Sequence, residues 1–407
     1  MIQYNKYEYQ KSYDKNKQIL NNYLIKIRKN CKNYDDNYNC DYNCDCDCDC
    51  DDNIKQMINI FLEKEREKYN IFAITMGVDD CCQFRSEPLV ANGQSIPNVK
   101  NTIKMNYRLG GQSIAIMTTI LLILTDKNYL NLSDTVDNWI PSVPNSNKIT
   151  LRMLGNSTSG LKDLALDNPD FLNKFKSDPF QFFSKEELLQ IVINSVPLFE
   201  PGTDFHFTPH TNLLLLGLIM EMVTCKKMEE LLKMYITDPL KISNTKYDDE
   251  TAIIPCPVLH AFINDKTENQ VLETTYWSPS FGTYSTGTTS IVADMMVIIE
   301  AIAKGKLITR QSYEELIAPT TVGLGPNTID RYYALGFTIG GYIIRNKPLF
   351  WVVESFNGYN GMWGVIPSTN FKIHIECNTT DEILSAFAIQ IFEDFLNYFN
   401  IPYKKTF

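Results

Sequence analysis

The sequence predicts an α/β (α+β) fold: an antiparallel sheet built from both ends of the chain, flanked by helices, with a mainly helical region inserted between. Three observations predict it. Strand-like stretches lie near residues 69–90, and again at Phe350–Val353, Met362–Ile366 and Phe371–Glu376. Amphipathic spacing brackets both groups, at 54–68 and beyond residue 380. The intervening chain carries apolar runs of helical length with few strand signals.

In order, residues 1–53 read as a flexible, low-complexity N-terminal arm and residues 54–407 as the folded body. The arm contains CKNYDDNYNCDYNCDCDCDCDD, in which Cys40, Cys44, Cys46, Cys48 and Cys50 alternate with aspartates in its second half. Thiolates and carboxylates at this density are candidate ligands for zinc or another soft metal. No CxxC pair and no neighbouring histidine completes a tetrahedral set, and the segment reads first as a repeat in a linker. In the body, Ile54, Met57, Ile58, Ile60 and Phe61 share one helical face. Tyr69–Val78 reads as a strand, Asp79–Asp80 as a turn and Cys82–Val90 as a second strand. The runs Ile114–Leu124 and Leu213–Met220 read as buried helices. Thr379, Thr380, Asp381 and Glu382 look like the capping box of a last helix. Its apolar face is Ile383, Leu384, Phe387, Ile391, Phe395 and Leu396.

The 407 residues are 44% hydrophobic and 21% charged, ordinary for a globular chain with a sizeable core. A net charge of -10 argues against a nucleic-acid partner, which needs clustered cations. No stretch reaches the roughly 18 apolar residues of a membrane span. Residues 1–30 show no secretory leader, so the eleven cysteines are expected reduced and the location cytoplasmic.

Ordered motifs carry a family resemblance over Ile54 to about Asn400. LNLSDTVDNWIP (Leu130–Pro141), ITLRMLGNSTSGL (Ile149–Leu161), FEPGTDF (Phe199–Phe205), LLLLGLIMEMVT (Leu213–Thr224) and DPLKISNT (Asp238–Thr245) resemble scaffold signatures of the serine β-lactamase and penicillin-binding-protein superfamily. The class C, D-alanyl carboxypeptidase and esterase-like branch is the nearest. These segments also have structural uses of their own: Pro201–Gly202 is a turn signal, and Asp134 suits the turn it sits in. The resemblance implies a hydrolase fold that acts by acyl transfer through three elements around one cleft, without a cofactor.

Each of the three departs from that pattern. In YRLGGQSI (Tyr107–Ile114), the nucleophilic serine of Ser-x-x-Lys is replaced by Gly111 and its lysine by Ile114. Glycine has no atom to acylate, and isoleucine takes no proton. The second element, Tyr-x-Asn in the family, falls in FHFTPHTN. Counting from Pro201–Gly202 places Phe207 and Pro209 there; counting back from Gly217 places Thr208 and His210 there. His210 is a candidate base in the second alignment. The third element, His/Lys-x-Gly on the edge strand, which the resemblance implies would bind a substrate carboxylate, becomes Val352 and Glu354.

The resulting expectation is a catalytically inactive relative whose old cleft binds a small molecule or peptide, or whose surface assembles with itself or an active relative. Two alternatives stand beside it. One is an esterase or amidase using Ser113, Cys225 or Cys256 as nucleophile. The other is a metal-binding or structural role led by the Cys/Asp segment. The remaining Ser-x-x-Lys matches, Ser12/Lys15, Ser159/Lys162 and Ser243/Lys246, open no apolar helix.

Overall fold

Helix α1 (Asp51–Lys68) opens the structure, which is a computed structural model describing residues 51–80, 84, 87–266, 268–381 and 387–406. The cysteines Cys40, Cys44, Cys46, Cys48 and Cys50 lie outside the described residues, as does Ser12/Lys15. The helix buries Ile54, Ile58, Phe61 and Leu62, as its spacing requires. It ends at a left-handed Asn70 (φ 52°), where the Ile71 N–H returns to the Arg66 carbonyl at 2.9 Å. Tyr69 and Asn70 therefore belong to the helix stop. Strand β1 (Ala73–Asp79) starts later than the alternation predicted.

The second strand is also displaced. Strand β2 runs Leu89–Ile96, sharing only Leu89 and Val90 with the expected Cys82–Val90. Glu87 is left-handed (φ 48°) and Pro88 has no N–H, so the ladder cannot extend further back. Cys82 itself lies outside the described residues.

Further strands are β3 (Val99–Lys100), β4 (Arg331–Tyr333), β5 (Thr338–Ile344), β6 (Lys347–Phe356), β7 (Tyr359–Val365), β8 (Lys372–Cys377) and β9 (Tyr403–Lys405). Among the described residues they form a nine-stranded sheet in the order β9-β5-β6-β7-β8-β1-β2-β3, with β4 beside β5. Its labelled neighbours pair antiparallel. Strand β1 sits beside β8, with Gly77 opposite His374, so both ends of the chain meet in the sheet's middle. Strands β1 and β7 are buried along their whole length, as interior strands between two helical layers must be.

One layer is α1 and the last helix, α5 (Phe387–Tyr398). Ile391, Phe392, Phe395 and Leu396 bury there against Phe61, Ile373 and Ile375. Of the expected capping box, Thr379, Thr380 and Asp381 are among the described residues and Glu382 is not. Thr379 and Thr380 form a short strand parallel to Phe262–Asp265, and Asp381 pairs with Lys266 at 2.7 Å. The Thr379 and Thr380 backbone is thus paired in a strand. Glu382, Ile383 and Leu384 lie outside the described residues.

The other layer contains α2 (Ser113–Asp126), α3 (Pro209–Thr224) and α4 (Val292–Ala303). Every residue of α2 from Ser113 to Leu124 is buried, as expected of AIMTTILLIL. A single 3-10 turn, Gly110–Gln112, feeds α2 from a left-handed Gly110 (φ 53°). Asp134 fulfils its expected role by accepting the Asn131 N–H at 2.6 Å.

Candidate functional site

A cleft of about 280 Å³ opens where the start of α2 meets strand β6. Gly111, Ile114, Phe207, Val352 and Glu354 all line it, so the fold brings residues of all three sequence elements together. Phe205, Tyr333 and Phe337 complete much of the wall. Strand alternation explains the β6 contribution. Val352 and Glu354 share the face toward α2, whereas Trp351 and Val353 pack on the α1–α5 side.

Gly111 is demanded by its neighbour. A β-carbon there would overlap the Glu354 carboxylate and stand 2.6 Å from its Cδ. A β-carbon on Gly110 would meet Phe356 Cβ at 2.8 Å, besides the cost of its positive φ. The Glu354 carboxylate accepts hydrogen bonds from the backbone N–H groups of Gly111 and Ser355. Desolvation raises its pKa to about 7, against the opposing influence of His210. It makes no ion pair among the described residues.

His210 is the second residue of α3, just after Pro209, which suits the first turn because it lacks an N–H. Asp163 fixes it. Its carboxylate accepts the His210 backbone N–H and faces ring Nδ1, each at 2.8 Å. Burial disfavours the imidazolium, but Asp163 outweighs it and holds the His210 pKa above the usual value. Burial likewise opposes the Asp163 charge, and His210 with the Ala165 and Leu166 N–H groups overcomes it and lowers that pKa. The ring also packs at a tilt against Phe281, 5.5 Å between centroids. Thr208 turns away from the cleft: its hydroxyl donates to the carbonyls of His206 at 2.9 Å and Leu161 at 3.3 Å.

The alternative nucleophiles lie elsewhere. Ser113 is fully buried, outside the cleft lining. Cys225 is exposed at the end of α3, and Cys256 is exposed ahead of Pro257. Ser159 donates to Asn212 at 2.8 Å inside the core. Among the described residues no group of three or more His, Cys, Asp or Glu is arranged to hold a metal ion.

Behind the cleft floor is a polar chain that the sequence did not announce. The Tyr107 hydroxyl lies 3.4 Å from His374 Nδ1, His374 Nε2 faces Gln112 Oε1 at 3.0 Å, and Gln112 Nε2 donates to Glu376 at 3.0 Å. All four are buried. Burial drops His374 to about pKa 3 and pushes Glu376 well up, so the chain is neutral. Gln112 followed two glycines and carried no motif. The only hint was its place at the mouth of an apolar helix.

A family profile described as "Beta-lactamase" matches residues 97–388, well over half of the chain. The chain belongs to this family. A putative penicillin-binding protein PbpX of Bacillus subtilis (strain 168) is 24% identical over 279 residues, covering 64% of this chain. The match spans 66% of that protein, just under two thirds of its length. Among solved structures, a D-stereospecific amidohydrolase from Streptomyces sp. superposes with a TM-score of 0.73 at 20% identity, covering 84% of this chain and 97% of that one. A D-amino acid amidase from Ochrobactrum anthropi SV3 gives 0.71 at 16%, covering 86% and 98%. An octameric penicillin-binding protein homologue from Pyrococcus abyssi gives 0.69 at 18%, covering 85% and 77%. At these identities the likeness is one of fold. No helix among the described residues is long and apolar enough to cross a membrane.

Proposed function

We propose that this beta-lactamase-family chain uses its cleft to bind a small ligand, without forming an acyl-enzyme at the family's usual position. One observation carries the reading: the Glu354 carboxylate fills the space into which a side chain at position 111 would project. The nucleophile is therefore absent and its place is taken. Ile114, one turn on, supplies no base, and Val352 supplies no cation for an anionic substrate. Loss of nucleophile and base together leaves only the small rate that a binding site alone provides. The octameric homologue makes self-assembly a companion proposal.

A second reading, an amide or ester hydrolase acting through a different group, has its own support. The named structural relatives include an amidohydrolase and an amidase. His210 with Asp163 also supplies a buried histidine–carboxylate pair near Glu354.

Intact-mass analysis after treatment with a fluorophosphonate and a β-lactam separates the two readings, run beside ammonia release from D-phenylalanine amide. The binding reading expects an unchanged mass and no ammonia. A stoichiometric adduct at one residue, lost when that residue is changed to alanine, establishes the hydrolase and overturns the first reading.

A further inference from the structure

The cleft has a carboxylate at its floor and aromatic rings on its wall. Phe205 and Phe207 both pack on Tyr333, with ring centroids 5.6 and 5.8 Å away. Phe207 is 37% exposed at the cleft mouth, so its ring is available to a ligand. Two backbone N–H groups hold the Glu354 carboxylate in place, yet a carboxylate offers about four acceptor positions. Glu354 makes no salt bridge among the described residues, although the cleft encloses it. The guanidinium of Arg331, another lining residue, faces the Trp351 ring at 6.0 Å. A half-buried carboxylate in no ion pair is costly, with His210 offsetting only part of the cost, and a bound cation relieves it. Aromatic faces add attraction for the same charge.

We propose that the cleft binds a ligand with a cationic amine head and an aromatic or apolar body, the ammonium paired with Glu354 and the body against Phe205, Phe207 and Tyr333. This rests on the reading of the cleft as a ligand site, but not on the absence of hydrolysis. It inverts the electrostatic preference that the family resemblance implies, because a substrate carboxylate would meet Glu354.

Affinity then depends on pH. The charged and titratable groups around Glu354 are His210 on α3, with Asp163 behind it, Arg331 and Tyr333 on β4, and Glu376 on β8. Tyr333 and Glu376 are pushed up by burial and stay neutral near pH 7. Protonation of Glu354 removes the partner of the amine, and protonation of His210 adds repulsion, so both weaken binding as the pH falls.

The test is calorimetric titration with three probes of matched length: the cationic 3-phenylpropylamine, the neutral 3-phenylpropanamide and the anionic 3-phenylpropionate. At pH 8 the amine should bind at least about tenfold more tightly than either, and its affinity should fall about tenfold between pH 8 and pH 6. Glu354→Gln, checked for fold by circular dichroism, should abolish the preference. The pH series on the unaltered protein stands even where that variant fails to fold. Binding of the propionate as tight as the amine, no binding of any probe, or an unchanged preference in Glu354→Gln overturns the proposal. Ammonia release from phenylalanine amide would overturn the earlier reading alone and leave this one standing.

Discussion

Changing Glu354 to glutamine should stabilise the protein, and the gain should grow with pH. The carboxylate has a folded pKa of about 7, raised from an ordinary value of 4.5 chiefly by burial. Between those values the folded state holds a proton that the unfolded state has released. The contribution of this group is therefore fully present below pH 4.5 and is lost as the pH rises through 7. Two and a half units correspond to roughly 3 kcal/mol. Water in the open cleft screens part of that, so about 1–2 kcal/mol is expected between pH 5 and pH 8.5. Glutamine keeps an acceptor for the Gly111 or Ser355 N–H and carries no charge. Urea unfolding of both proteins at half-unit pH steps reads the effect. The two stabilities should lie close together at pH 5, diverge between pH 5 and pH 7, and run parallel above that. A difference independent of pH would show that desolvation of this carboxylate is not what the cleft contends with.

Gly111→Ser should cost about 1–3 kcal/mol by overpacking against Glu354. In a Glu354→Gly background that cost should shrink, and a double-mutant cycle with additive energies would contradict the steric pairing of the two positions. Gly111→Ser with Ile114→Lys should give no turnover of a chromogenic cephalosporin, since Glu354 and Val352 remain. Asp163→Asn should destabilise by about 3 kcal/mol, because it strips a buried histidine of its partner. It should also lower the His210 pKa, read from ring-proton shifts; an unmoved titration would refute the pairing.

The scaffold was legible because each part obeys a local rule. Strand-like stretches marked β6, β7 and β8, and continuous apolarity marked α2 as buried on all sides. Position-specific backbone chemistry was harder to see. Asn70 and Glu87 take left-handed conformations that shift the edges of β1 and β2, and neither residue type demands that geometry. Thr379 and Thr380 have the composition of a helix cap, but a partner strand more than 100 residues earlier in the chain claims them. In the cleft, the residue types at 111, 114, 352 and 354 were readable. Their mutual fit was not, because whether a glutamate side chain projects into a glycine's space depends on the distance between β6 and the turn before α2. The Tyr107–His374–Gln112–Glu376 chain was hidden for the same reason: its members are scattered over 270 residues and meet only once the sheet exists.

The pairing of β1 with β8 has a consequence for biosynthesis. Residue 77 leaves the ribosome almost 300 residues before residue 374, its partner across the ladder. Throughout that interval the early hairpin carries an open hydrogen-bonding edge and an apolar surface with nothing to cover it. Loop closure over such a span is slow. The nascent chain is thus most vulnerable to aggregation or proteolysis until β8 has emerged, and a chain cut ahead of Lys372 should be a product that needs chaperone protection rather than a smaller stable protein.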